Sequence, residues 1–456
     1  MAAHAAAPLC VAGGRGALRA SPQSHYSLRV AAMSASKSEV EGRGPVAPVL
    51  AGLLIAAAPV VFALATWDVT NLHSPIRAWM RFYGAPVIAI EILVIICALF
   101  SGFQPLRMLR AAPAWAQATL VVLITVAFCS AFVAAPDEGT AVGRTFLWLI
   151  HLLFGLGFAH LVRRCEPFFS RHFWPAVVVG LCGYVVLLMF FVWMIPDPAT
   201  FGWAHLRLAV VNIRQVGFYS AVGAAAALGL SFFQSRWILY IAWGAAASLL
   251  LAISFWSGTR GSILAVWIAC LAAMVWYPPL RTLFAIGTVA ACNAIGAVLS
   301  LVHSVPDSHY GMARLAVSAA TRTAEDFSSG RLSQWLGAVR AVRERPLFGY
   351  GESQFRLIVP ESMGAYNHPH NAVLQIALQW GVVGTVCFGA LAGLVLWWCH
   401  LAVREGRKED LPPFLVLVSL LAMSLYEGTL YHTYPIMMIA VSIAAIVRLG
   451  PAFQKW

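Results

Sequence analysis

Runs of about 20 consecutive apolar residues, the length an α-helix needs to cross the hydrocarbon core of a bilayer, recur along this chain and leave little room for any other architecture. They fall near 47–66, 84–103, 114–135, 143–162, 173–195, 208–233, 236–256, 261–277, 280–302, 370–400, 411–427 and 429–448. The expectation is an all-α membrane protein with about twelve transmembrane helices. Only 11% of the residues are charged and 61% are hydrophobic, whereas about a quarter of a soluble domain is charged. The formal net charge of +12 could suit nucleic acid, but no basic block interleaves with aromatics on a polar surface. The charges punctuate the apolar runs instead, as topology signals do. Cysteines such as Cys97, Cys129, Cys182, Cys270, Cys292 and Cys387 lie inside those runs and form no CxxC pair, which argues against a structural zinc site or a disulfide framework.

Residues 1–46 are rich in Ala, Ser, Gly and Arg, nearly free of acids, and hold no apolar run long enough for a signal peptide. They read as a disordered cytoplasmic tail, with a transit peptide the compositional alternative and Met33 a second candidate start. Nine spans then occupy 47–302 and three occupy 370–449, with one large, partly helical loop at 303–369 between them and a short cytoplasmic tail at 450–456. With the N-terminus inside, the short cytoplasmic segments carry Arg107, Arg110, Arg163, Arg164, Arg171, Arg236, Arg281, Arg404, Arg407, Lys408, Arg448 and Lys455. The outer loops and their edges carry fewer, namely Arg77, Arg81, Arg144, Arg207 and Arg260. That asymmetry puts both termini in the cytoplasm and the 303–369 loop outside.

The densest polar chemistry lies from Ser329-Gly330-Arg331 to Gly384. His370 is expected to open the third-last span, and steps of four and three from it place Leu374, Ala377, Gly381 and Gly384 on one face, where small residues let helices pack closely. The positive end of the helix dipole disfavours an imidazolium there, so His370 would be neutral and fit for a general base. The plainer reading is a helix cap or a satisfied buried contact. Arg214 is expected a turn or two inside a span and Arg260 between two spans. A guanidinium at membrane depth is costly unless it is paired or faces a wet cavity, and its rigid fork matches phosphate; the alternative is a side chain that snorkels or pairs locally. Glu91 stands alone in its span and is expected to pair with a buried donor, while Glu427 lies near Tyr426, His432 and Tyr434 at the last outer turn. No Asp-x-Asp pair or His-Glu cluster offers ligands for Mg or Mn and no P-loop pattern is present, so neither a metal nor a cofactor is expected.

His370-Asn371, nine residues, then Gly381-Val382-Val383-Gly384 resembles the H-[NSQ]-x9-G-x-x-G motif of the O-antigen ligases. Ser329-Gly330-Arg331, Trp335, Pro346 and Phe348-Gly349-Tyr350-Gly351 are similar to the wider family, which takes in O-antigen polymerases and bacterial protein O-oligosaccharyltransferases. The resemblance implies a GT-C-like membrane glycosyltransferase of the bacterial inner membrane with its site at the periplasmic face. It implies His370 as the catalytic base and Arg214, Arg260, Arg331 and Asn371 as substrate-binding residues. It further implies an undecaprenyl-pyrophosphate-linked O-antigen donor, a lipid A-core oligosaccharide acceptor, surrounding membrane lipids and no nucleic acid. Polymerase and protein-oligosaccharyltransferase activities are the alternatives within the family. A twelve-span transporter or flippase is the alternative outside it, and no clear internal repeat favours that reading.

Overall fold

The computed structural model describes residues 45–67, 75–206, 208–275, 279–307, 309–320, 328, 330–362, 366–404 and 407–447. The expected tails, apart from residues 45 and 46, lie outside the described residues, as do Ser329, Arg207, Arg448 and Lys455. The described residues form helices and no strand. In chain order, the helices used below are α1 Val46–Ala65, α2 Pro75–Tyr83, α3 Ala85–Phe100, α4 Ala114–Cys129, α5 Glu138–Arg164, α6 Trp174–Trp193, α7 Val216–Ser231, α8 Trp237–Ser257, α9 Arg260–Met274, α10 Pro279–Ser300, α11 Gly311–Ala320, α12 Arg331–Glu344, α13 Ala372–Val403, α14 Leu411–Ser424 and α15 Thr433–Val447.

Each expected apolar run holds a helix, yet the helices differ in reach. Among the described residues, seven are long and apolar enough to cross a membrane: Val46–Ala65, Ala114–Ala134, Glu138–Arg164, Glu166–Trp193, Trp237–Ser257, Leu283–Ser300 and Ala372–Val403. The α2–α3 pair, bent by 56°, brings the number to eight if it counts as one span. The chain is therefore a multi-pass membrane protein. Helices α7, α9, α14 and α15, at four more of the expected places, have only 16, 15, 14 and 15 residues. Their ends at one side share a feature. Each begins or ends beside a polar group: Gln215 before α7, Arg260 at the start of α9, Glu427 just past α14 and His432 just before α15. These four ends meet: Gln215 hydrogen-bonds His432 at 3.3 Å, the Tyr426 hydroxyl donates to the Gly261 carbonyl at 2.9 Å, and Thr259 hydroxyl donates to the Arg214 carbonyl at 3.1 Å. Helices that stop short together leave a polar recess at one end of the bundle.

Helix α7 is the axis of the bundle. Its sequence, VGFYSAVGAAAALGLS, is buried at all but one position, because its small residues let neighbours come to backbone distance. A Cβ on Gly229 would lie 2.7 Å from Pro412 Cα of α14. Away from the recess, the lone acid Glu91 of α3 does have its donor: His151 Nδ1 of α5 sits 2.9 and 2.8 Å from the two carboxylate oxygens.

Helix α13 departs from the expected continuous face. It breaks at Gly381, whose φ of 64° and ψ of −165° are open to glycine alone. Into the break comes the segment Pro346–Gly351. Val382 and Val383 N–H donate to the carbonyls of Pro346 and Leu347 at 2.7 and 3.3 Å, while the carbonyls of Leu378 and Gln379 accept from Tyr350 and Gly351 N–H, both at 2.9 Å. Four backbone groups that the break frees are thus satisfied by the loop, as a membrane protein requires. A Cβ on Gly381 would sit 2.3 Å from the Leu347 carbonyl. Ser130, in the π-helical turn Ser130–Ala134 that extends α4, donates to the carbonyls of Phe348 and Gln379 and ties both to α4. Gly381 therefore serves a chain break and a docked loop, while Gly384 stays helical and faces Val126 of α4.

Candidate active site

The recess is closed by the turn His368-Pro369-His370 at the head of α13. The helix itself starts at Ala372, two residues later than expected, because Asn371 is its N-cap: extended backbone, with side-chain Oδ1 accepting the Leu374 N–H at 3.0 Å. Asn371 Nδ2 donates to the Leu425 carbonyl at 3.0 Å, so this side chain joins the head of α13 to the end of α14. His370 adopts the left-handed region, φ 55°, a conformation that costs a non-glycine residue roughly 1 kcal/mol or more. Its N–H donates to His368 Nδ1 at 3.3 Å, and Trp335 Nε1 of α12 donates to the Pro369 carbonyl at 2.7 Å. The turn is pinned from both sides.

Glu427 faces it from the loop after α14. One carboxylate oxygen, Oε1, accepts from Arg331 Nη2 at 2.8 Å; the other, Oε2, lies 3.6 Å from His370 Nδ1. Burial alone would raise the Glu427 carboxyl, but Arg331 and His370 outweigh it and hold the group at about 2. Burial pushes the His370 imidazole below its usual value, with Glu427 pulling the other way. An unprotonated imidazole beside an ionised carboxylate is the state both shifts favour at neutral pH.

The expected arginines gather here. Arg331 is the first residue of α12 and Arg260 the first of α9, both positions where the helix dipole opposes a cation; helix stability does not explain them. Arg260 lies within electrostatic reach of Arg331 and Glu427. Arg214 sits not inside a span but in the 3₁₀ turn Ile213–Gln215 ahead of α7, because Asn212 caps that turn by accepting the Arg214 N–H at 2.9 Å. Its guanidinium lies 5.8 Å from the Tyr310 ring centroid, and its Nε is buried with no hydrogen-bond partner among the described residues. Arg314 of α11 joins them; burial, then Arg214, Arg260 and Arg331, bring its guanidinium down to about 10. Arg331 thus contacts the Glu427 carboxylate, and Arg214, Arg260 and Arg314 lie within electrostatic reach of it. Farther along α12, Arg340 is exposed and pairs with Glu361, and just past that helix Arg345 donates to the Ala134 carbonyl at 2.9 Å.

Behind His370 lie further aromatics. The His368 ring is 4.3 Å from that of His370, 4.7 Å from Tyr431 and 5.5 Å from His432. A Cβ on Gly428 would strike the His368 ring, so the residue after Glu427 must be small. Among the described residues, no group of three or more His, Cys, Asp or Glu side chains is arranged to hold a metal ion.

Sequence reasoning named His370, Arg214, Arg260 and Arg331, and the fold brings them into one cluster. It missed Glu427 and Arg314 as members. An acid between two apolar runs was the available signal for Glu427; Arg314 carried none, being one arginine of many in the 303–369 loop.

No curated protein matches the chain. Residues 245–389, which run from α8 through the first half of α13 and include Arg260, Arg314, Arg331 and His370, match the family model described as O-antigen ligase. About a third of the chain lies in that match, it holds the head of α13 with most of the arginines around it, and it supports the chain's assignment to the O-antigen ligase family.

Proposed function

We propose that the protein is an O-antigen ligase that moves the O-antigen glycan from undecaprenyl pyrophosphate to lipid A-core oligosaccharide, at the periplasmic face of the bacterial inner membrane. The observation that carries this reading is the placement of His370 3.6 Å from Glu427, with Arg331 and Arg214 facing it and Arg260 and Arg314 within electrostatic reach of the same carboxylate. With Nδ1 turned to Glu427, Nε2 is the ring nitrogen left for the acceptor. In the reaction as we draw it, the acceptor hydroxyl oxygen attacks the anomeric carbon of the donor sugar while its proton passes to His370 Nε2. The bond from the anomeric carbon to the pyrophosphate oxygen breaks, and its electron pair leaves with that oxygen. The products are the glycosylated acceptor with its anomeric centre inverted, undecaprenyl pyrophosphate, and an imidazolium that later releases its proton. Arginine forks suit the charge gathering on the departing pyrophosphate, and the Glu427 carboxylate is already engaged by Arg331.

The test is transfer by the purified protein, with chelator present, from undecaprenyl-pyrophosphate glycan to lipid A-core. Glycan-bearing lipid A, lost in His370→Ala, is the expected result. Glycan that lengthens on its carrier instead would make the protein a polymerase, and undiminished transfer by His370→Ala would remove the base assignment.

A further inference from the structure

Glu427 divides one carboxylate between two partners of different chemistry: Arg331 on Oε1 at 2.8 Å and His370 facing Oε2 at 3.6 Å. The first is a full hydrogen-bonded ion pair. The second is longer than a hydrogen bond, and His370 Nδ1 has no hydrogen-bond partner among the described residues. The carboxylate is thus drawn toward the arginine and away from the histidine. Glu427 is itself held in place by its N–H, which donates to the Met423 carbonyl at 2.7 Å and carries the last turn of α14 onward.

We infer that Glu427 is a positioning residue that makes the strength of His370 as a base depend on whether an anionic donor is bound. A pyrophosphate entering the arginine cluster competes with Glu427 for Arg331. As Arg331 turns to the pyrophosphate, Glu427 is released to His370, its Oε2 closes on Nδ1, and the imidazole becomes the better proton acceptor. While Arg331 holds Glu427, the carboxylate is withheld from His370 and the base is weak. This inference rests on the reading of His370 as a base and of the arginines as a pyrophosphate site, and it adds the coupling between them. The other groups facing His370 are Arg214 from the turn before α7, His368 and Tyr366 from its own loop, and His432 from the segment before α15, while Arg260 and Arg314 act on Arg331 and Glu427. The cations among them weaken the base, and among the described residues Glu427 is the group that strengthens it.

The experiment follows the His370 imidazole by NMR titration of the detergent-purified full chain, identified by its loss in His370→Gln, with and without inorganic pyrophosphate. In the wild type, pyrophosphate should raise the pH of half-protonation by about one unit or more, tenfold in proton affinity. In Glu427→Gln that rise should shrink to what the anion's own charge supplies. In Arg331→Gln the imidazole should already titrate at the higher pH before pyrophosphate is added, because nothing withholds the carboxylate. In turnover, the acid limb of kcat should lie at higher pH than that of kcat/KM for the donor, and the gap should narrow in Glu427→Gln and return in Glu427→Asp. An equal rise in wild type and Glu427→Gln overturns the coupling, as does failure of pyrophosphate to bind, or a Glu427→Gln that loses stability with both limbs unmoved. If the wild type makes no transfer product while the imidazole still responds to pyrophosphate, the transfer reading falls and the coupling stands.

Discussion

Two glutamate–histidine pairs in this molecule show how differently one chemistry can be used. Glu91 and His151 meet inside the bundle at 2.8 and 2.9 Å, fully and nearly fully buried. Each satisfies the other, and the pair is closed. Glu427 and His370 meet at 3.6 Å in a recess, each partly open at its side chain, with the carboxylate shared and the imidazole left without a full hydrogen bond. Around the first pair stand apolar helices; around the second stand four arginines. A carboxylate and an imidazole that complete one another hold helices together, whereas a pair left incomplete beside surplus positive charge is available to a ligand.

The largest test of this contrast sets His370→Ala against His151→Ala. The first should cut transfer about 10²- to 10⁴-fold, the usual worth of a general base, with little change in the melting temperature of the detergent-solubilised protein. The second should strand Glu91 in an apolar interior and cost about 3–5 kcal/mol of stability, seen as lost yield and a lower melting temperature, with turnover per folded molecule unchanged. An exchange of these two phenotypes would reverse the roles assigned to the pairs.

Next in size is Gly381→Ala. Its backbone conformation excludes other residues and its added Cβ would meet the Leu347 carbonyl, so a loss of about 1–3 kcal/mol is expected, together with reduced transfer because the head of α13 shifts. Thermal unfolding and transfer measured on the same preparation check it; a variant as stable as the wild type would mean that the docked loop does not need the break.

Asn371→Ala should cost about 1 kcal/mol as a lost N-cap, and Asn371→Asp or Asn371→Ser should recover much of it. Donor KM is the deciding measurement. A stable variant with a raised donor KM would add a substrate contact to the cap and tether that Asn371 makes.

The smallest expected effect is on pH. Burial lowers the His370 imidazole, and a base acts only when unprotonated. Activity in the free enzyme should therefore hold steady from pH 8 down through the ordinary imidazole value of about 6.5 and fall only below it. A fall in kcat/KM for the donor centred above that value would place a different, more basic group in charge.

How much of this was legible follows from where the partners lie in the chain. The apolar runs announce their helices because period and length need no distant information. His370 was legible as a residue with a local cost, a histidine at a membrane boundary, and Arg331 through the family resemblance that Ser329-Gly330-Arg331 carries. Glu427 lies 96 positions beyond Arg331, and only the meeting of α12 with the end of α14 makes it a partner of both. Gly381 misled for a simpler reason: a small residue at helical spacing looks the same whether it admits a neighbouring helix or ends its own. The short spans were over-read by the same logic, since an apolar count does not reveal that Arg214 or Glu427 lies just outside the helix.

The break at Gly381 carries a consequence for how the protein comes into being. While α13 is threaded into the bilayer, the carbonyls of Leu378 and Gln379 and the N–H groups of Val382 and Val383 can be matched only by an unbroken helix, for each left bare in hydrocarbon costs several kcal/mol. Their final partners, Pro346–Gly351, belong to a loop made earlier in the chain but docked against a helix made later. If the break lies at hydrocarbon depth, the newborn span enters straight and is bent afterwards, when that loop settles into it. Because the same bend aims the head of α13 at Arg331 and Glu427, the arrival of the loop is also the moment at which the site is assembled, and a molecule inserted but not yet bent is a membrane protein without chemistry.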